Sequence, residues 1–218
     1  MKRLAKDKQK SLFIVIDGID GCGSTTHSVL LANFLKTKGI KAHMTREPSE
    51  FEVGKLLRKY LKNINIPSPT DALLFAADRV EHYYNEVVPK LEENFWVISD
   101  RYLESSIAYQ IAEASKETES KETSPKFDIT EEWIIQINKF APQPDLTILL
   151  DIDPRDSLKR KYTEKDDIDK FENIPFLDLV RKIYVKRAKA MKYVIIDSTG
   201  SKEEVAQKIQ NEISKYIK

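Results

Sequence analysis

The residues best suited to chemistry follow the first apolar run of the chain. Gly18-Ile19-Asp20-Gly21-Cys22-Gly23-Ser24-Thr25-Thr26 fits the spacing G-x-x-x-x-G-K-[ST] at both outer glycines and at the final hydroxyl. Glycines let a backbone wrap closely and turn its N–H groups inward, and a helix that starts there adds its positive end. The loop therefore predicts a cradle for a polyphosphate, with the Thr25 hydroxyl placed to reach Mg²⁺. The lysine of the pattern is missing, because position 24 is Ser. A charge-assisted hydrogen bond contributes about 1.5–3 kcal/mol, and a lost transition-state donor costs about 10²–10³ in rate. Three readings follow. Another cation substitutes, with Arg160, Lys161, Lys165 and Lys170 as candidates. Or turnover is slow. Or nucleotide is bound without turnover. Cys22 sits where a helix N-terminus favours a thiolate, but a small residue fitting a tight turn is the preferred reading.

More phosphate chemistry is spread along the chain. Thr45-Arg46-Glu47-Pro48 and Asp100-Arg101-Tyr102 each follow an apolar run, and Ser105, Ser106, Tyr109 and Gln110 come next. Phe75 and Arg79 lie four residues apart on a helical pattern. Arginine suits phosphate because its planar fork donates two parallel hydrogen bonds. Each residue also has a plainer role. Phe75 could be core, Arg79 could pair with Asp78 or Glu81, Arg101 could pair with Asp100 or Glu104, and the serines could be small buried residues. His27, His43 and His82 show no metal-ligand spacing.

These residues need a scaffold, and the apolar pattern supplies one. Short runs read as strands at 12–17, 40–45, 95–100, 146–151 and 193–197. Four of them end in Asp: Asp17, Asp100, Asp151 and Asp197. One helix follows the phosphate loop and ends at Gly39. Others are expected around 52–62, 70–92, 103–114, 129–140, 155–162, 175–190 and 202–216. Alternation of this kind predicts an α/β fold with parallel strands and helices on both faces. Ligands then bind at the carboxyl ends of the strands. The polar stretch 113–126 reads as a solvated helix extension running into a loop. The charged stretch 159–170 reads either as a solvated surface or as a mobile cover over a phosphate site.

Composition narrows the classes. Basic and acidic residues number 36 and 35, for a net charge of +1, which argues against a free-standing basic nucleic-acid binder. Hydrophobic residues make up 41% of the 218, enough for a folded core rather than disorder. A single cysteine allows no intrachain disulfide. No stretch reaches the ~18 apolar residues of a membrane span. The expectation is a cytoplasmic globular protein bound to neither membrane nor nucleic acid.

Taken together, the D-R-Y-x-x-S-S-x-A-Y-Q stretch, the T-R-E-P element, the F-x-x-x-R helix and the glycine loop resemble thymidylate kinases, among the P-loop nucleoside monophosphate kinases. The resemblance extends from about residue 12 to 215. It implies a P-loop NTPase fold, with a five-stranded parallel sheet and a short lid. It also implies one domain over 1–218, a P-loop at 18–25 and a lid at about 160–174. The implied reaction is ATP-dependent phosphorylation of dTMP with Mg²⁺, in a homodimer. By position, Gly18 to Thr26 and Arg160 would hold ATP, and Thr25 and Asp100 would hold the metal. Arg46 and Arg101 would bind the acceptor phosphate, Phe75 would stack on the base and Arg79 would bond a base carbonyl. Ser105, Ser106 and Gln110 would line the base site. Tyr109 would pack on the sugar and Asp20 would take the 3′-hydroxyl. Asp197 to Gly200 would wall the adenine. Asp169-Lys170-Phe171-Glu172 matches the lid pattern with Lys170 in place of Arg. Lys165 or Lys170 is expected to approach the transferring phosphate, alongside Arg46, Asp100, Arg101 and Arg160 as catalytic groups. Acceptors such as dUMP remain open on these residues.

Overall fold

Side chains on the first strand, β1 (Phe13–Gly18), point alternately into two cores. Ile14 and Ile16 join one apolar cluster, while Phe13 and Val15 join another. A strand buried on both faces must be apolar throughout, which is why this run lacks a polar–apolar alternation. The computed structural model describes residues 10–62, 66–120, 128–161 and 174–217. Among these the sheet has five parallel strands in the order β2-β3-β1-β4-β5. The other strands are β2 (Ala42–Arg46), β3 (Trp96–Asp100), β4 (Leu146–Asp151) and β5 (Val194–Asp197). The expected α/β sheet is present, and β4 has the predicted bounds.

The helices are α1 (Ser24–Thr37), α2 (Glu52–Tyr60), α3 (Ser68–His82), α4 (Val88–Glu92), α5 (Leu103–Ser120), α6 (Glu131–Ile137), α7 (Pro154–Lys161), α8 (Ile174–Met191) and α9 (Lys202–Ser214). The single helix expected over 70–92 is instead α3 and α4 joined by a π-turn at Tyr83–Val87. Pro89 has no N–H to offer the carbonyl of Asn85, and a widened turn just before a proline relieves that mismatch. The polar extension beyond residue 114 does continue as helix to Ser120.

Parallel pairing brings all strand carboxyl ends to one edge. Ile16 and Arg46 both lie level with Asp100, Gly18 with Leu150, and Asp151 with Asp197. The strand order reverses around β1, so the loop after it opens into a crevice at a switch point. Two terminal aspartates serve the scaffold. Asp151 accepts two hydrogen bonds from Arg181 of α8, at 2.6 and 3.0 Å. Asp197 accepts from the Thr199 amide and hydroxyl and so shapes the turn into α9.

Residues 162–173 contain most of the expected lid, the Asp169–Glu172 element, Lys165 and Lys170, and lie outside the described residues. The end of the polar stretch, 121–127, does so as well.

Candidate functional site

Two cavities open along the strand ends. The first, of about 700 Å³, is lined by Asp20, Gly21, Gly23, Ser24, Thr25 and Thr26 of the glycine loop. Gly23 caps α1 in the left-handed region, at φ 96°, with no side-chain cap bond to the first turn. That leaves the positive end of a 14-residue helix facing the cavity. Gly21, at φ 81°, has its α-carbon so close to α7 that a Cβ would come within 2.4 Å of the Ser157 carbonyl oxygen. Gly18, Ile19 and Cys22, expected in the same cradle, do not line it. Ile19 and Cys22 belong to the apolar core. Burial pushes the Cys22 thiol up to about 11, so Cys22 is a packing residue, not a thiolate.

Arg160, Gly200, Ser201, Lys202, Arg101 and His27 complete this cavity. Arg160 donates to the carbonyls of Thr199 and Gly200, both at 3.1 Å, and ties α7 to the turn before α9. His27 is 4% exposed, and its Nδ1 has no partner. Burial, then the charges of Arg160 and Lys202, hold its imidazole below the usual range. His27 and Lys202 were not among the expected site residues. A histidine on the first helix and a lysine opening a charged helix look like ordinary surface chemistry in sequence.

The Thr25 hydroxyl donates to Asp100 Oδ2. The other oxygen, Asp100 Oδ1, is buried and unpartnered. A hydroxyl and a half-satisfied carboxylate at a phosphate cradle form an oxygen donor set of the kind that Mg²⁺ accepts. The described residues contain no cluster of three or more His, Cys, Asp or Glu that could hold an ion alone. This fits a cation that takes its remaining ligands from phosphate and water.

The second cavity, about 310 Å³, is lined by Phe75, Arg79, Arg101, Ser105, Ser106, Tyr109 and Gln110, with Asp20. Most of the expected acceptor set is therefore brought together. Glu47, Asp71 and Tyr102 also line it. Gln110 is 1% exposed, yet neither its Oε1 nor its Nε2 has a partner. Leaving both ends of a buried amide unsatisfied costs roughly 1–3 kcal/mol per group, so the cavity lacks a matching donor and acceptor.

Arg101 and Asp20 line both cavities. Arg101 does not pair with Asp100 or Glu104. Its Nη2 donates to Asp20 Oδ1 at 2.6 Å and its Nη1 to Ser105 Oγ at 3.1 Å, with the guanidinium over the Tyr109 ring. The Tyr109 hydroxyl also donates to Asp20, at 3.0 Å. Burial works against the Arg101 charge, but Tyr109, Tyr184, Asp17 and Asp20 hold it well above the ordinary value. Arg101 has φ 73°, which costs a side-chain-bearing residue roughly 1–2 kcal/mol. The Arg101 amide donates to Ile16 and its carbonyl accepts from Ser99 Oγ at 2.7 Å, which fixes that conformation. Beneath it, Asp17 accepts from Ser105 Oγ at 2.7 Å and Tyr184 at 2.6 Å.

Arg79 is fully buried, and its partner is neither Asp78 nor Glu81. It donates to Glu47, Asn138, Ser106 and the Tyr102 carbonyl. Asp78 instead accepts from the amide and hydroxyl of Ser49. Arg46 lines neither cavity. It is exposed at the end of β2 and pairs with Glu50 at 2.6 Å.

The Asp71 carboxyl makes no hydrogen bond or ion pair with the described residues, and burial raises it to about 6. The folded state therefore binds this proton more tightly than the unfolded chain does. The resulting stability is complete below about pH 4 and is lost as pH rises through about 6. Asp71→Asn removes the titration. Relative to the parent, its stability should improve by about 2 kcal/mol between pH 4 and pH 8. In thermal melts this is a gain of about 4–8 °C in relative midpoint. A difference that stays flat across that range would show the carboxyl to be ordinary.

A family model described as Thymidylate kinase matches residues 16–209. A protein named probable thymidylate kinase from Pyrobaculum calidifontis is 42% identical to this chain over 199 residues, which covers 91% of the chain and 93% of that protein. Proteins of the same name from Pyrococcus abyssi and Methanosphaera stadtmanae are each 39% identical, over 92% and 95% of this chain and 94% and 100% of their own.

Proposed function

This chain belongs to the thymidylate kinase family, and on that premise we propose that it transfers the γ-phosphoryl group of ATP to the 5′-phosphate of dTMP. The observation that carries this reading is the pair of cavities joined at Arg101 and Asp20. One is a phosphate cradle, and the other holds an aromatic side chain with an unsatisfied amide. An acceptor phosphate oxygen attacks the γ-phosphorus, the bond to the bridging oxygen breaks, and ADP and dTDP leave. The nucleophile is already an anion, so no general base is required.

This chain's residues supply alignment and charge. The α1 N-terminus and loop amides hold the donor phosphates, and Arg160 closes the adenine side with the 197–200 turn. Arg101 draws the acceptor phosphate to the junction of the cavities, with Arg46 joining it. Phe75 stacks on the pyrimidine while Gln110 satisfies its donor and acceptor edge. Asp20 takes the deoxyribose hydroxyl, Tyr109 packs on the sugar, and Ser105 and Ser106 hold Arg101 and Arg79 in place. Thr25 and Asp100 would hold Mg²⁺, and the ion would supply charge neutralisation for the donor phosphates. Lys165 or Lys170, which lie outside the described residues, is the lid cation expected to serve the transferring phosphate. The apolar side chains exposed on α2 and α3, Leu56, Tyr60 and Leu73, support a homodimer. No described helix is long and apolar enough to cross a membrane.

Coupled ADP release tests the reading. dTMP should stimulate ADP formation, and dUMP should do so less well, because one methyl group discriminates by roughly 10–200-fold. Gln110→Leu should raise KM for dTMP by about 10–100-fold with a smaller change in KM for ATP. If dTMP gives no stimulation, nucleotide binding without turnover, the alternative raised by Ser24, replaces this reading.

A further inference from the structure

Position 24 lies in the donor cavity and carries a hydroxyl where the loop's geometry would place an ammonium. A serine side chain is too short and carries no charge, so the charge facing the donor phosphates has to come from elsewhere. Among the described residues, three cations line the cavity: Arg101, Arg160 and Lys202. Two of them are already engaged. Arg101 donates to Asp20 and Ser105 and stands at the acceptor side. Arg160 is anchored through its Nη2 on the carbonyls of Thr199 and Gly200.

Lys202 differs from both. Its side chain makes no hydrogen bond or ion pair with the described residues. Its backbone is nonetheless fixed, since it is the first residue of α9. There the Ser201 side chain accepts from the Glu204 amide at 3.2 Å, and the Glu204 carboxylate accepts from the Ser201 amide at 2.8 Å. This reciprocal cap holds the Glu204 carboxylate on the Ser201 amide. The Arg160 bonds hold the preceding turn against α7. The result is an exposed ammonium at a capped helix start that lines the same cavity as the glycine loop.

We propose that Lys202 supplies the donor polyphosphate with the positive charge that the glycine loop lacks at position 24. The inference rests on the reading of this cavity as the ATP site. It assigns a charge contributed by the P-loop in the usual pattern to the start of the last helix.

The test is calorimetric binding of a non-hydrolysable ATP analogue with Mg²⁺, and of adenosine, to the full chain and to Lys202→Ala, Lys202→Arg, Ser24→Lys and the double variant Ser24→Lys/Lys202→Ala. Lys202→Ala should bind the analogue about 10–100-fold more weakly and adenosine unchanged. Lys202→Arg, which keeps the charge, should stay close to the parent. The double variant should regain most of the lost affinity, because the charge is restored at the usual position. Analogue binding unaffected by Lys202→Ala overturns the proposal and leaves the charge to residues 162–173. An equal loss for adenosine also overturns it, since Lys202 would then contact the nucleoside. Failure of the parent to bind the analogue at all would sink the ATP-site reading itself, an outcome distinct from the other two.

Discussion

Arg101→Ala is expected to lower kcat for dTMP phosphorylation by about 10³-fold. Arg101 is the one arginine lining both cavities among the described residues, so its charge serves the acceptor phosphate and the group in transit together. Loss of one fixed donor to transition-state charge costs about 10²–10³, and Arg101 offers two donor arms. Its removal also takes the guanidinium away from Asp20, whose carboxylate keeps the Tyr109 hydroxyl but would repel an incoming phosphate, and withdraws the charge that opposes the burial-driven rise of Asp17. Arg101→Lys separates charge from geometry. A point charge without the fork cannot reach Asp20 and Ser105 together, so this variant should fall between the alanine variant and the parent, at about 10²-fold. Both variants keep the glycine loop, and affinity for an ATP analogue should change much less than kcat. A loss below tenfold in Arg101→Ala would remove Arg101 from the chemistry.

The sequence made this residue visible because its signal is local. Asp100-Arg101-Tyr102 directly follows a β-branched run, and a strand end in a parallel sheet is where ligands bind. The glycine loop and the β strands were legible for the same reason, since each depends on a few neighbouring residues. What the sequence concealed depends on distant partners. Glu47 and Asn138 lie 32 and 59 residues from Arg79, and no periodicity links them. Asp78 and Glu81 were the obvious partners on the helix, but β2 brings Glu47 closer. Asp71 shows no signal because an acidic residue in a helix's first turn is commonplace. Its isolation becomes evident only once the cavity exists. Lys202 is the opposite case, a residue in a solvated-looking helix whose turn folds back against α7.

The same distant partners set the second large effect. Arg79 and Glu47 form an ion pair at 2.8 Å with both side chains nearly inaccessible. The other oxygen of Glu47 accepts from His82 Nδ1 at 3.1 Å, and His82 Nε2 meets the Thr45 hydroxyl at 2.7 Å. Breaking a buried pair by removing one partner costs about 3–5 kcal/mol, because the remaining charge has no solvent to turn to. Arg79→Met should therefore lower stability by that amount, or roughly 6–20 °C in melting temperature for a chain of this size. Glu47→Gln alone should cost less, since an amide can still accept from the arginine. The double variant Arg79→Met/Glu47→Gln should be more stable than the sum of the single losses predicts, as double-mutant coupling between contacting groups requires. This outcome bears directly on the role that family resemblance gives Arg79. If the guanidinium mainly reads a base carbonyl, Arg79→Met should raise KM for dTMP and leave the melting temperature within about 2 °C. If it mainly holds the back wall of the acceptor cavity, the melt should shift strongly. KM should then rise as well, because Ser106 and the Tyr102 carbonyl lose the group that fixes them. The burial of Arg79 and the four partners it already holds favour the second result.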